Sequence, residues 1–145
     1  TLPYTGGSQG TGGISERASI SADGRYVAFT GFATNLVVGD TNGAQDVFVK
    51  DTVTGVTTRV STDAGGSQGN NGSANPSISA DGRYVAFNSG ATNLVPGDGN
   101  LQSDVFIKDA PLPAATCRRP EHGPADPEST GSGQMQDFTV QALTS

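Results

Sequence analysis

An eleven-residue segment occurs twice in this chain without a single change. Residues 19–29 read Ser-Ile-Ser-Ala-Asp-Gly-Arg-Tyr-Val-Ala-Phe, and residues 77–87 repeat that order 58 positions later. Further matches keep the same spacing, beginning with residues 33–37 and 91–95. Repetition at such a spacing is typical of solenoids, propellers and arrays, whose unit buries its apolar faces only by stacking on copies of itself. Fold and function therefore have to be derived from the repeating unit.

Each unit is predicted to contain four antiparallel strands. Residues 25–29 alternate along a strand with apolar side chains on both faces, which is the pattern of a sheet that lies between neighbours. An Asp-Gly pair joins this strand to residues 18–21 and indicates a hairpin, because Gly tolerates a positive φ. Residues 46–51 and 56–61 supply the third and fourth strands. No useful length of sequence has helical spacing of apolar residues without Gly or Pro, so we predict an all-β fold.

The repeat divides the chain into segments. A Gly-rich N-terminal segment covers residues 1–13, the first unit covers 14–63 and the second covers 64–109. The tail, residues 110–145, holds five of the eight prolines among scattered charges and is predicted to remain irregular over most of its length. The second unit has no counterpart of the fourth strand. Strand-like residues 137–143 can supply it, in this chain or in a partner.

Composition excludes several classes of partner. The net charge is −6 with only eight Lys and Arg residues, which argues against nucleic-acid binding. No stretch approaches the roughly 20 apolar residues of a membrane span, so a soluble protein is predicted. The chain begins with Thr1, so we expect that a leader was removed or that the chain is cut from something longer. Cys117 is the only cysteine, and the lack of thiols in both units suits an exported protein.

The duplicated segment resembles the WD40-like repeat of bacterial TolB-type propellers, whose blades carry a Ser-x-Asp-Gly-x-x-x-Ala-Phe core. The resemblance covers about residues 14 to 109. It implies that each unit is a β-propeller blade. Propellers close with roughly four to eight blades around a channel, and this chain supplies two. We therefore expect a homo-oligomer that closes a ring, or a piece of a longer propeller.

In each unit, one loop rich in Asp and Asn precedes the predicted third strand. Residues 40–46 and 98–104 place oxygen-bearing side chains at loop positions 1, 3 and 7. Calcium takes about six to eight oxygen ligands, which short loops gather from side chains and backbone carbonyls. The second loop has Leu101 where the first has Gly43, and the alternative explanation is that Asp and Asn simply favour turns. The predicted calcium ligands are Asp40, Asn42, Asp46, Asp98, Asn100 and Asp104.

Other residues with chemical potential have structural explanations. Asp23 and Asp81 lie in Asp-Gly turns, which need no ligand. A Gly-x-Ser-x-Gly pattern occurs in residues 6–10 and 65–69, but a nucleophile elbow requires a strand before it, a helix after it and a His base. The only histidine, His122, lies in the tail, so neither a His-dependent catalyst nor a zinc site is predicted.

Two functions from different classes follow. The first is a calcium-binding propeller that acts as a non-catalytic module for a carbohydrate or protein ligand, secreted or periplasmic in a bacterium. The second is a calcium-dependent hydrolase, because the propellers that bind calcium include enzymes resembling lactonases, in which the metal polarises an ester carbonyl and positions water. Its substrate would be a small lactone, such as an acyl-homoserine or sugar lactone. A third, weaker possibility is that the units only build an assembly surface. The sequence identifies no catalytic residue.

Overall fold

The computed structural model describes residues 9–110 and the backbone of residues 141–143. Over these ranges the chain forms strands, turns and loops without a helix, which confirms the all-β prediction. None of the described segments is therefore a helix long and apolar enough to cross a membrane. The strands are β1 (Ser15–Ile20), β2 (Tyr26–Gly31), β3 (Asp46–Asp51), β4 (Thr57–Arg59), β5 (Ser73–Ile78), β6 (Tyr84–Ser89), β7 (Asp104–Asp109) and β8 (Gln141–Leu143).

The first repeat forms an antiparallel sheet in the order β1-β2-β3-β4. Gly24 turns the chain between β1 and β2 with a φ of 74°, as the Asp-Gly signal predicted. Phe29 of β2 pairs with Phe48 of β3, and their ring centroids lie 5.7 Å apart. The fourth strand is shorter than the predicted 56–61, because the backbone nitrogens of Val60 and Ser61 both donate to the carbonyl oxygen of Val47, which interrupts the regular pairing with β3.

The second repeat builds the same sheet in the order β5-β6-β7-β8. Phe87 and Phe106 pair like their counterparts in the first repeat, with ring centroids 5.9 Å apart. The short strand β8 pairs with β7, in the position that a fourth strand was expected to fill. Of the predicted strand 137–143 only residues 141–143 are described. The N-terminal residues 1–8 and the Pro-rich part of the tail also lie outside the described residues.

The first strand of each sheet carries a bulge that the sequence did not predict. The pairing of β1 with β2 shifts between Glu16 and Ser19, where Arg17 has a φ of 55°. Asn75 occupies the same place in β5 with a φ of 54°. A bulge leaves one residue unpaired and bends its strand. Strand β1 starts three positions before the predicted Ala18, because its polar first half continues to pair with β2 on the other side of the bulge.

Each sheet has two faces, which we name from the side chains of its second strand. The front face carries alternate residues from Tyr26 in the first repeat and from Tyr84 in the second. The back face carries the residues between them. The front-face residues are Tyr26, Ala28 and Thr30 with Tyr84, Ala86 and Asn88; the back-face residues are Val27, Phe29 and Gly31 with Val85, Phe87 and Ser89.

The main core lies between the two repeats. Tyr26 and Ala28 on the front face of the first sheet belong to one buried cluster with Ile78, Val85 and Phe87 on the back face of the second. Strand β5 runs against β1, β2 and β3. One repeat therefore completes its core only by contacting the other, which is the behaviour that the repeat pattern predicts.

Candidate functional site

The first Asp/Asn loop connects β2 to β3 and is shaped by Asn42. The side-chain oxygen of Asn42 accepts a hydrogen bond from the backbone nitrogen of Ala44 at 2.9 Å, and Gly43 between them has a φ of 63°. The side-chain nitrogen of Asn42 donates to the carbonyl oxygen of Gly69 at 3.0 Å and to Oδ1 of Asp46 at 3.4 Å. This is an Asx turn, the structural role that the alternative explanation assigned to such residues.

Asp46 begins β3 and is completely buried. The hydroxyl of Ser61 donates to Oδ1 of Asp46 at 2.7 Å. Burial raises the pKa of Asp46 above its usual value, and the hydrogen bond from Ser61 and the charge of Arg59 act in the opposite direction. A buried carboxylate of this kind needs a cation beside it.

Arg59, which the sequence did not single out, supplies that cation. Its Nη1 lies 3.5 Å from Oδ1 of Asp40 and 3.8 Å from Oδ2 of Asp46. Antiparallel pairing of β4 with β3 places Arg59 opposite Phe48, on the back face that also holds Asp46. The guanidinium also donates to Oε1 of Gln68 at 3.0 Å. Three residues from separate elements thus form one buried cluster, which we call the Asp40–Arg59–Asp46 cluster.

The fit of this cluster to calcium is poor. The two carboxylate oxygens that face Arg59, Oδ1 of Asp40 and Oδ2 of Asp46, are buried and lack a hydrogen bond of good geometry. A guanidinium carries the positive charge that a metal would bring, and two cations between the same carboxylates would repel each other. Asp40, Asn42 and Asp46 do come together as predicted, but around an arginine.

The second loop forms the same Asx turn, but the described residues include no counterpart of Arg59. Asn100 accepts from the backbone nitrogen of Gln102 at 2.8 Å and donates to Oδ2 of Asp104 at 3.2 Å. Asp98 and Asp104 are only half-buried. In the second sheet Ala142 of β8 pairs with Phe106, as Arg59 of β4 pairs with Phe48, so an alanine stands at the position equivalent to Arg59.

The predicted ligands come together within each loop, but the described acidic side chains do not form a ready coordination shell. Within residues 9–110 no three His, Cys, Asp or Glu side chains are placed to hold one metal ion. The side-chain oxygens of Asn42 and Asn100 each accept one hydrogen bond from a backbone amide of their own loop. The calcium prediction stays a prediction, and the second loop is the more exposed of the two.

The residues for which the sequence indicated a structural role lie in turns and loops wherever they are described. Asp23 accepts from the Ser21 hydroxyl at 2.6 Å, a bond that lowers the pKa of Asp23, and Asp81 accepts from Ser79 in the same way. Residues 65–69 lie in the linker between β4 and β5, where no helix follows, so this Gly-x-Ser-x-Gly match is a loop. Of residues 6–10 only 9 and 10 are described, and His122 lies outside the described residues.

A second buried cation joins the repeats. Lys108 of β7 donates to the carbonyl oxygens of Thr62 at 2.8 Å and of Asp63 at 3.0 Å, and it also contacts the Thr62 hydroxyl. Burial lowers the pKa of Lys108 to about 8. Lys50 is the equivalent residue of the first repeat, but it donates to the carbonyl oxygen of Gly55 in the neighbouring turn. The repeated sequence alone does not predict this difference between the two lysines.

Comparison with known proteins leaves the chain to be interpreted from its own residues. No model of a known protein family matches it, and a search of curated proteins found no match.

Proposed function

We propose that the chain is a non-catalytic binding module built from two propeller-type blades. The four-stranded antiparallel order of the sheets and the stacking of the second repeat on the first support the assignment of blades. The observation that carries the proposal is the Asp40–Arg59–Asp46 cluster. Its carboxylates are engaged by a guanidinium and by the Ser61 hydroxyl, so they serve to fix the loop rather than to act as a base.

The ligand that suits this scaffold is polar and uncharged, or a protein surface of similar character. Exposed amide and hydroxyl groups gather where the first loop meets the linker between the repeats; for example, Gln68 donates to the Thr41 hydroxyl at 2.6 Å. Such groups match the hydroxyls of a carbohydrate through hydrogen bonds. The net charge of −6 disfavours nucleic acid. An exported location, secreted or periplasmic, is part of the proposal and is supported by the lack of cysteine in both repeats.

The second candidate is calcium-dependent hydrolysis of a small lactone. The observation in its favour is the second loop, where Asp98 and Asp104 remain partly exposed and no described cation pairs with them. Asp98 and Asp104 would be the residues to hold the ion. Calcium bound there would supply a Lewis acid for the ester carbonyl.

One experiment separates the two candidates. The protein is incubated with an acyl-homoserine lactone and with a sugar lactone, first with calcium and then with a chelator, and the same preparation is applied to an oligosaccharide array. The proposal expects no turnover in either condition and retained binding of a set of glycans. Turnover that the chelator abolishes would establish the hydrolase instead.

Calcium titration by calorimetry locates any metal. Asp104→Asn removes a partly exposed carboxylate of the second loop, and Asp98→Asn is its matched variant in the same loop. Heat of binding that both substitutions abolish supports a calcium site there. Binding that survives both substitutions rejects the second loop as the site.

A further inference from the structure

The two repeats share a tyrosine, an alanine and a valine on their front faces, but only the front face of the first repeat is covered. Tyr26 is 5 % exposed, whereas its counterpart Tyr84 is 40 % exposed. Val47 is 0 % exposed, whereas its counterpart Val105 is 44 % exposed. The difference arises because the second repeat packs over Tyr26 and Val47, while no described residue packs over Tyr84 and Val105 to the same extent.

The back faces show the opposite difference. Ile20 is 61 % exposed, while its counterpart Ile78 is 8 % exposed. Phe29 is only half-buried, while Phe87 is buried. In the described part of the chain each repeat therefore has one open face, and the two open faces are of opposite kinds.

These open faces match each other as well as the two faces that already meet. The contact inside the chain joins the front of the first repeat to the back of the second. The open front of the second repeat keeps the Tyr and Ala of the covered front and has Val105 in place of Val47. The open back of the first repeat has the same Ile, Val and Phe as the covered back. We propose that the open front face binds the open back face of a second copy of this chain, head to tail.

Backbone groups at the turns fit the same contact. Within the chain, the backbone nitrogen of Ala22 donates to the carbonyl oxygen of Ala80, the equivalent residue of the other repeat, at 2.9 Å. The nitrogen of Ile78 donates to the hydroxyl of Ser19 at 3.2 Å. Between copies, Ala80 of one copy donates to Ala22 of the next, and Ile20 of the next copy donates to the hydroxyl of Ser77.

The tyrosine of the front face also has a matching position. The ring of Tyr26 lies directly against Gly82, where a Cβ would collide with it. Gly24 is the equivalent residue of the first repeat, and a Cβ added there would meet no atom within 4 Å apart from its chain neighbours. The ring of Tyr84 fills the space at Gly24 in the head-to-tail contact. A contact that joins two unlike faces produces closed rings or open chains of subunits rather than an isologous dimer.

Sedimentation velocity over a range of concentrations tests this proposal. Val105→Lys places a charge on the open front face, and Ile20→Lys places one on the open back face. Both residues are substantially exposed, so circular dichroism should show an unchanged fold. Val38→Lys adds the same charge at a fully exposed position of the loop between β2 and β3 and is the matched control. The native chain and the Val38→Lys control are expected to associate increasingly with concentration.

The mixing experiment identifies the polarity of the contact. Each face variant alone is expected to remain monomeric, because every contact uses one face of each kind. An equal mixture of the two variants is expected to form a 1:1 complex and nothing larger, since one intact front and one intact back remain. A native chain that stays monomeric at every concentration overturns the proposal. Association of Ile20→Lys by itself also overturns it, because that variant can associate only through like faces. Neither outcome depends on a ligand, so the proposed binding function is tested separately.

Discussion

Leu101 and Gly43 hold the same left-handed backbone conformation at the same place in the two repeats, with φ angles of 58° and 63°. The side chain of Leu101 is 80 % exposed and gains little from packing. A residue with a Cβ pays roughly 1–2 kcal/mol for this conformation, and glycine does not. The second Asp/Asn loop is therefore strained where the first is relaxed.

Substitutions at Leu101 and Gly43 should change the free energy of unfolding in opposite directions. Leu101→Gly is expected to raise the free energy of unfolding by roughly 1 kcal/mol, and Gly43→Ala to lower it by a similar amount. Urea denaturation measures both. Gly99→Ala is the control, because Gly99 has open space around it and no positive φ. Equal effects of Gly43→Ala and Gly99→Ala would show that the loop conformation is not what limits the substitution.

The Arg25–Asp51 pair should make stability depend on pH in acid. Arg25 donates from Nε and Nη2 to the two oxygens of Asp51 at 3.1 and 2.9 Å, and these bonds lower the pKa of Asp51 to about 2. The folded state therefore releases this proton more readily than the unfolded chain, whose Asp has a pKa near 3.8. The stabilisation is complete above about pH 4 and is lost as the pH falls toward 2.

Asp51→Asn is expected to remove that acid-dependent part of the unfolding free energy and to cost about 1–2 kcal/mol at neutral pH. Asp109→Asn is the matched variant, since Asp109 occupies the same place but the described residues show no pair between it and Arg83. Denaturation at several pH values measures both. If Asp109→Asn flattens the pH profile as much as Asp51→Asn does, the Arg25–Asp51 pair is not the source of the pH dependence.

Two equivalent glycines separate backbone strain from packing between the repeats. Gly24 and Gly82 have φ angles of 74° and 76°, so alanine is strained at both. Only at Gly82 does the new Cβ also meet the ring of Tyr26. We expect Gly82→Ala to destabilise by roughly 1–3 kcal/mol more than Gly24→Ala, which is the usual cost of overpacking. Thermal unfolding of dilute samples measures the difference, and equal losses would mean that the repeats do not meet at Tyr26.

The Asp40–Arg59–Asp46 cluster should behave as a coupled unit. Arg59→Gln leaves buried carboxylates without their cation and is expected to destabilise by about 3 kcal/mol. When Asp46 is already Asn, the same substitution should cost about 1–3 kcal/mol less, because less buried charge is left unpaired. A double-mutant cycle of unfolding free energies tests this. Strictly additive losses would show that Arg59 and Asp46 do not interact.

Much of the fold follows from the sequence because its signals are local. The alternation along β2, the Asp-Gly turns and the duplicated order of residues predict the hairpins and their repetition. The pairing of Asn42 with Asp46 likewise follows from their spacing within one loop. Arg59 was not predicted, because it reaches Asp46 only through the pairing of β4 with β3, which the local pattern does not specify.

The difference between Tyr26 and Tyr84 also lies beyond local sequence reasoning. The two residues sit in identical eleven-residue segments, so every propensity and periodicity is the same for both. Their burial depends on whether another sheet packs over them. Only the arrangement of the two sheets shows which face is covered.

Fluorine NMR of the chain labelled with 3-fluorotyrosine tests the central claim most directly. The claim is that the second repeat covers the front face of the first and leaves its own front face open. In dilute solution, with signals assigned from Tyr26→Phe and Tyr84→Phe, the change of chemical shift from H₂O to D₂O reports solvent contact. We predict a shift for Tyr84 close to that of the free amino acid and a much smaller one for Tyr26. Equal shifts for the two tyrosines would contradict the account.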